Sequence, residues 1–323
     1  MIYKEELFRT PDILRRVLRE STDSLLGDAK RLLFVGCGTS LYIGAQLERL
    51  CRAVGREAAA LDAVEVLEHP AEKSGGEVAV YISRSGRSRE TVLAAEELRR
   101  RGVAGFYLGC TPASPLDTLC DSARVIPWAE ETLVLESFSY YAQLLLGAVC
   151  CGLPVGGDIP PLVSDALSRG EEAGRAIVRD RGIPSRIISL ASGFYVPLHR
   201  EMMLKDGEIT QLPVESWGNL EFRHGPRSWA DETTLIHMIP GTLTRAWDVR
   251  VAEELISYGC PLLYYGGDAP EGAMCADPAA PRETTAEVLA AAAFHTAVAA
   301  EIGLARGTSP ERLRHVVHNV GNL

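Results

Sequence analysis

Positive charge is in short supply: 33 lysines and arginines stand against 43 aspartates and glutamates in 323 residues, a formal net charge of −10. A nucleic-acid partner calls for a broad basic face, so none is expected. No two of the eight cysteines (37, 51, 110, 120, 150, 151, 260, 275) have C-x-x-C spacing, and several sit inside apolar runs. They suit small buried hydrophobes better than ligands, so neither a metal site nor a cofactor is expected. The chain does not open with a secretory signal, and no uncharged apolar stretch reaches membrane-spanning length, which leads to the expectation of a cytoplasmic protein without a membrane partner. With 46% hydrophobic and 24% charged residues the composition is that of a globular protein, and its length exceeds one ordinary domain.

Against these absences stand two hydroxyl-rich segments. Leu32-Leu33-Phe34-Val35-Gly36-Cys37-Gly38-Thr39-Ser40 and Val78-Ala79-Val80-Tyr81-Ile82-Ser83-Arg84-Ser85-Gly86-Arg87-Ser88 each carry an apolar run of strand length into glycine and hydroxyl residues, then into a helical pattern. Backbone N–H groups, hydroxyls and a helix N-terminus then converge on one point, where a phosphate is held. Serine and threonine are also common helix caps, and one such turn would mean no more than that. Two of them on strand-to-helix turns of one parallel unit belong at the carboxyl edge of one sheet, where doubly wound folds bind ligands. Arg84, Arg87 and Arg89 surround the second segment with guanidinium groups suited to a phosphate dianion, although each also fits a solvated surface position.

Along the chain, residues 12–26 have the spacing of an amphipathic lead-in helix. Helices over 41–54 and 88–101 follow the two strands, with Ile43, Leu47, Leu50 and Val54 on one side of the first and Val92, Ala95 and Leu98 on one side of the second. Strands are predicted at 105–109 and 123–127, and a long apolar helix at about 132–152. The Gly/Pro-rich stretch 152–161 breaks every period and sets a boundary, giving domains 1–155 and 156–323. The scheme then repeats: a charged helix near 162–181, a strand at 185–191, a turn at Ser192-Gly193, a helix over 197–206, strands at 233–239 and 261–265, and a helix at 244–258. The second half has no serine-rich phosphate loop, which suggests that the first half binds phosphate and the second supplies chemistry.

The blocks Cys37-Gly38-Thr39-Ser40, Ser83 to Ser88, Glu201 to Glu208 and Glu221 to Pro226 resemble the sugar-isomerase (SIS) domain family, in particular the isomerase half of glucosamine-6-phosphate synthase and stand-alone hexosamine-6-phosphate deaminases. The resemblance implies an α/β fold of two tandem doubly wound parallel-sheet SIS domains with flanking helices. It assigns the sugar phosphate to Ser83, Ser85 and Ser88 with Gly38, Thr39 and Ser40, and Arg84 beside them; Arg87 stands where the family motif carries an acidic residue. The family's Glu-x-x-x-Lys-x-x-Glu pattern reads Glu201-Met202-Met203-Leu204-Lys205-Asp206-Gly207-Glu208. Glu208 is then the base that moves a proton between C1 and C2, Lys205 the partner of developing negative charge, and His224 of His224-Gly225-Pro226 the ring-opening group. In the family that histidine comes from the neighbouring subunit, which implies a homodimer. Glu131 matches an auxiliary glutamate, though the following Val134-Leu135-Glu136-Ser137 departs from the synthase.

The chemistry asks for such groups independently, because a C–H beside a sugar carbonyl is a poor acid that needs a positioned carboxylate and a stabiliser for the enolate oxygen. A surface ion pair remains the commoner reason for Glu208 and Lys205 to lie three apart. The resemblance leaves several outcomes: deamination of an amino-sugar 6-phosphate to a ketose phosphate and ammonia, deglycation of a fructosamine 6-phosphate, or sugar-phosphate sensing without catalysis. No glutaminase segment is expected before the first strand, which favours the stand-alone deaminases, while the tail His315 to Leu323 lacks the synthase's lysine and so weakens any finer choice.

Overall fold

The computed structural model describes residues 2–68, 77–277, 283–311, 313 and 315; most of the tail 315–323 lies outside them. The chain forms two compact units, one of Arg9–Gly156 and one that joins Gly157–Leu313 to the first eight residues. After α1 (Ile2–Phe8), which belongs to the second unit, the N-terminal unit runs α2 (Thr10–Glu20), β1 (Arg31–Gly36), α3 (Thr39–Ala53), β2 (Glu57–Asp62), α4 (Ala63–Glu68), β3 (Glu77–Ser83), α5 (Arg89–Arg100), β4 (Ala104–Gly109), α6 (Pro115–Leu119), β5 (Ser122–Val125) and α7 (Phe138–Cys150). All strand pairings are parallel, in the order β2-β1-β3-β4-β5. β1 and β3 are buried almost throughout, which is why they read as continuous apolar runs rather than alternating ones. β2 escaped the sequence reading because its Ala58-Ala59-Ala60 core has little strand character.

The second unit runs α8 (Ile159–Arg181), β6 (Arg186–Ala191), α9 (Val196–Thr210), β7 (Val214–Gly218), β8 (Thr234–Ile239), α10 (Arg245–Ser257), β9 (Leu262–Tyr265), β10 (Met274–Asp277) and α11 (Thr285–Arg306). Its sheet, in the order β10-β9-β8-β6-β7, is again all parallel. Counted from its own first strand this is 2-1-3-4-5, the same order as in the N-terminal unit and that of flavodoxin-like sheets.

Three local expectations change. The lead-in helix expected over 12–26 is α2, which ends at Glu20, and a further helix precedes it: α1 belongs with the second unit rather than with 1–155, since Lys4 pairs with Glu171 and lies 2.6 Å from Glu301, on α8 and α11. The apolar helix expected from 132 begins only at Phe138, because residues 131–137 form a loop that folds back on the helix start. Finally, α11 was not anticipated. It is long and apolar enough to cross a membrane by length and composition, yet every residue from Thr285 to Gly303 except Glu287 is buried inside the protein. A helix apolar on all sides is equally the mark of a core helix.

α8 reaches α11 through two glycines. A Cβ at Gly170 would stand 2.2 Å from the Phe294 carbonyl oxygen and 2.9 Å from Ala297 Cβ; one at Gly174 would stand 2.8 Å from Glu301 Cβ. Gly→Ala inside a helix ordinarily stabilises by about 1 kcal/mol, whereas overpacking costs about 1–3 kcal/mol. The clash here is with backbone, so Gly170→Ala is expected to destabilise the protein by about 2 kcal/mol. A lower urea midpoint checks this, and an unchanged or higher one would contradict the close approach.

Candidate active site

In the N-terminal unit the two hydroxyl-rich turns flank the point where the strand order reverses. β1 lies between β2 and β3, and the parallel register sets Val35 opposite Tyr81. Their carboxyl ends therefore emerge side by side, at the crevice where open α/β sheets take ligands. A contact of 3.6 Å between Cys37 Sγ and Thr91 Oγ1 ties the first turn to the first turn of α5. Thr39 and Ser40 open α3 and are buried, as is Ser83; Ser85 and Ser88 are half-buried.

The second turn is pre-shaped by its own hydroxyls. Ser83 Oγ accepts from Gly86 N at 3.1 Å and lies 3.4 Å from Ser88 Oγ, while Ser85 Oγ accepts from Arg87 N at 3.2 Å. Gly86 has φ +63°, and a Cβ there would also strike Ser114 Oγ, so only glycine fits. Arg87 and Arg89 are exposed at the rim.

Arg84 is placed differently from its neighbours. Its buried guanidinium donates to the carbonyl oxygens of Leu133 at 3.0 Å and Val134 at 3.3 Å and lies 3.8 Å from Glu130 and 4.0 Å from Glu136. Those donors hold the 130–136 loop. Glu131, on the same loop, turns its carboxylate to the start of α7, accepting from Ser137 N at 2.9 Å, Ser139 N at 2.6 Å and the Ser137 hydroxyl. Acidic groups are favoured at helix N-termini, and Glu131 acts here as a cap. Burial pushes its pKa up, against the downward pull of those hydrogen bonds.

In the second unit α9 carries a buried charge cluster. Lys205 Nζ lies 3.3 Å from Glu201 one turn earlier and 3.7 Å from Glu208 nearly one turn later. Glu201 and Lys205 are buried, while the Glu208 side chain keeps 24% of its exposure. This is no surface ion pair: the lysine is pinned by one buried carboxylate and presents itself beside another that solvent can reach. Glu208 is thus the member open to solvent, and Lys205 the adjacent positive charge. His224 is not in this cluster. It ends a short 3-10 turn, Glu221–His224, on an exposed segment, and Gly225 at φ +137° swings the chain into the next one.

Behind α9 lies a group the sequence did not reveal. Asp206, His199, His237 on β8 and His295 on α11 are buried almost completely. His237 Nδ1 is 3.4 Å from Asp206 Oδ2, and its ring stacks on that of His295 with centroids 4.7 Å apart. Burial raises the Asp206 carboxyl well above the carboxylate range, assisted by the charge of Glu201, and lowers all three imidazoles, His295 to about 3. Only the odd placement of Asp206 among Met202, Ile209 and other inward residues hinted at this.

The N-terminal unit is thus a parallel α/β sheet with hydroxyl-lined turns at its switch point. The SIS domain profile matches residues 25–150. Glutamine–fructose-6-phosphate aminotransferase of Aeropyrum pernix is 25% identical over 98% of this chain, which spans only 54% of that enzyme's length. D-galactosamine-6-phosphate deaminase of Shewanella sp. is 25% identical over 78% of this chain and 72% of its own. Among solved structures, glucosamine-6-phosphate deaminase of Thermotoga maritima superposes with a TM-score of 0.85 over 99% of both chains at 21% identity. The C-terminal domain of the Francisella tularensis aminotransferase gives 0.81 over 96% of this chain and 98% of its own, at 18% identity. These two likenesses establish the shared fold.

The buried imidazoles fix a pH dependence. A histidine whose folded pKa lies below its unfolded value of about 6.5 takes up its proton on unfolding, so stability falls as pH drops through that value. Asp206 works in the opposite direction, holding a proton in the folded state that the unfolded chain releases above pH ~4. From these four groups a net of two protons binds on unfolding, so stability should decline by about 2.7 kcal/mol per pH unit below pH 6. Urea unfolding at pH 7.5 and 5.5 measures it, and His295→Phe should flatten the decline. A pH-independent midpoint would mean that the imidazoles are not held neutral.

Proposed function

We propose that the protein is a phosphosugar enzyme that converts an amino-sugar 6-phosphate to a ketose 6-phosphate and ammonia. The observation that carries this reading is the pair of hydroxyl-rich turns flanking one switch point; it is supported by the deaminase and aminotransferase names among the relatives and by the Glu201–Lys205–Glu208 cluster, buried except at Glu208. The equal strand order of the two sheets supports a second SIS domain in the C-terminal half. In this reading Thr39, Ser40, Ser83, Ser85 and Ser88, with the N–H groups around Gly38 and Gly86, hold the phosphate dianion. Arg84 acts indirectly, by holding the 130–136 loop, and Glu131 by capping α7.

The proton transfer falls to α9. After His224 has assisted ring opening to the aldehyde, Glu208 removes the proton from C2, and the electrons move toward C1 and its oxygen. Lys205 stabilises the negative charge developing there, an interaction stronger in the transition state than in the ground state. Return of the proton to C1, with an N–H proton passing to O1, leaves an imine at C2, which water hydrolyses to the ketone and ammonia. Glu208 is suited to this because it is the solvent-reachable carboxylate of the cluster.

Glu208→Gln keeps shape and hydrogen bonding but accepts no proton. It is expected to lower ammonia release by about 10²–10⁴-fold while leaving sugar-phosphate affinity nearly unchanged. The assay runs a panel of hexosamine and fructosamine 6-phosphates and follows C2 proton exchange in deuterated water. Release of an amine other than ammonia would point to deglycation, and binding without any turnover to a sensor.

The reading further takes the active form as a homodimer in which His224 serves the partner's site. Mixing inactive His224→Ala with inactive Glu208→Gln protomers should then restore activity, because a heterodimer holds one site with both groups intact. No recovery after demonstrated subunit exchange would assign His224 to its own protomer's site.

A further inference from the structure

We propose that Asp206 and His237 are a positioning pair for the catalytic face of α9: Asp206 as a carboxylic acid donates its proton toward Nδ1 of His237 and anchors the helix to β8. The proposal rests on the reading of Lys205 and Glu208 as the reacting groups.

Asp206 follows Lys205 directly and points away from it into the core, where it is wholly buried. The titratable groups around it are Glu201, Lys205 and His199 from α9, His237 from β8 and His295 from α11. No hydrogen-bond partner within the described residues reaches either carboxylate oxygen of Asp206 or either ring nitrogen of His237 or His295. Nor, among the described residues, is any group of three or more histidine, cysteine, aspartate or glutamate side chains placed to hold a metal ion. A buried polar group without a partner is costly, and an isolated buried charge far more so.

Three arrangements of the Asp206–His237 proton are conceivable, and two are poor. An ionised Asp206 facing a neutral imidazole leaves an uncompensated carboxylate in the core, close to Glu201. An ion pair puts a cation on a ring stacked at 4.7 Å on His295, with no solvent to spread the charge. A proton kept on Asp206 leaves both partners neutral and needs only a small closure of the 3.4 Å contact to become a hydrogen bond. It also keeps a third negative charge away from the two carboxylates that already share Lys205.

The neutral acid has a close mimic in asparagine, which separates this role from mere packing. In the full-length protein with ¹³C-labelled aspartate, the Asp206 Cγ signal, identified by its loss in Asp206→Asn, should stay at the protonated position from pH 5 to 7. Asp206→Asn should keep kcat and KM within about threefold, with the acid limb of the pH profile in place. His237→Phe and Asp206→Leu should lower kcat about tenfold with KM nearly unmoved. An Asp206 signal that titrates like an exposed aspartate, an Asn variant as impaired as Leu, or an unchanged kcat in His237→Phe would overturn the proposal. Should Asp206→Leu fail to fold, the asparagine and His237→Phe arms still decide. Absence of turnover by the wild type on any phosphosugar would sink the functional reading alone. Amide exchange over residues 202–209 then settles the positioning role: faster in His237→Phe supports it, equal in both overturns it.

Discussion

The register of β1 against β3 is the constraint on which the N-terminal unit depends. Because the strands are parallel and directly paired, their carboxyl ends finish together, and because β2 lies on the far side of β1, the connections after β1 and β3 diverge and leave a crevice. The hydroxyls of Thr39, Ser40, Ser83 and Ser88 are brought together by this pairing alone, across more than forty residues of chain. A one-residue slip would turn the buried face of each strand outward and separate the turns. Around them the hydrogen bonds are spent on shape: Ser83 on Gly86, Arg84 on the 130–136 loop, Glu131 on the start of α7.

In the second unit a corresponding order comes from helix packing. α8 and α11 meet at Gly170 and Gly174 with no room for a methyl group, and α11 in turn packs on α9. That places His295 against His237 and puts the reverse side of α9 in an environment from which water is excluded. The result is one helix with two electrostatic faces. Glu201, Lys205 and Glu208 form a charged cluster that reaches solvent at Glu208, whereas Asp206 and the three histidines are held neutral by burial. Charge is permitted where solvent or a counter-charge is available and suppressed where neither is.

By itself the sequence determined the elements with strong local signals: the apolar strands that end in Gly36 and Ser83, the helices that follow them, the Gly/Pro break near 152–161, and the helix that carries Glu201 and Lys205, which in the structure runs on to Thr210 and so takes in Glu208. These depend on neighbours close in the chain. Tertiary structure alone decided what depended on distant partners. β2 became a strand because β1 offered it an edge, not because alanines favour one. Arg84, which looked like a phosphate ligand from its neighbours, found carbonyls fifty residues away that compete for its donors. Asp206 reads locally as one more acidic residue in a charged helix, and only the packing of β8 and α11 against α9 deprives it of water. Desolvation is a property of everything around a group, so no local pattern announces it.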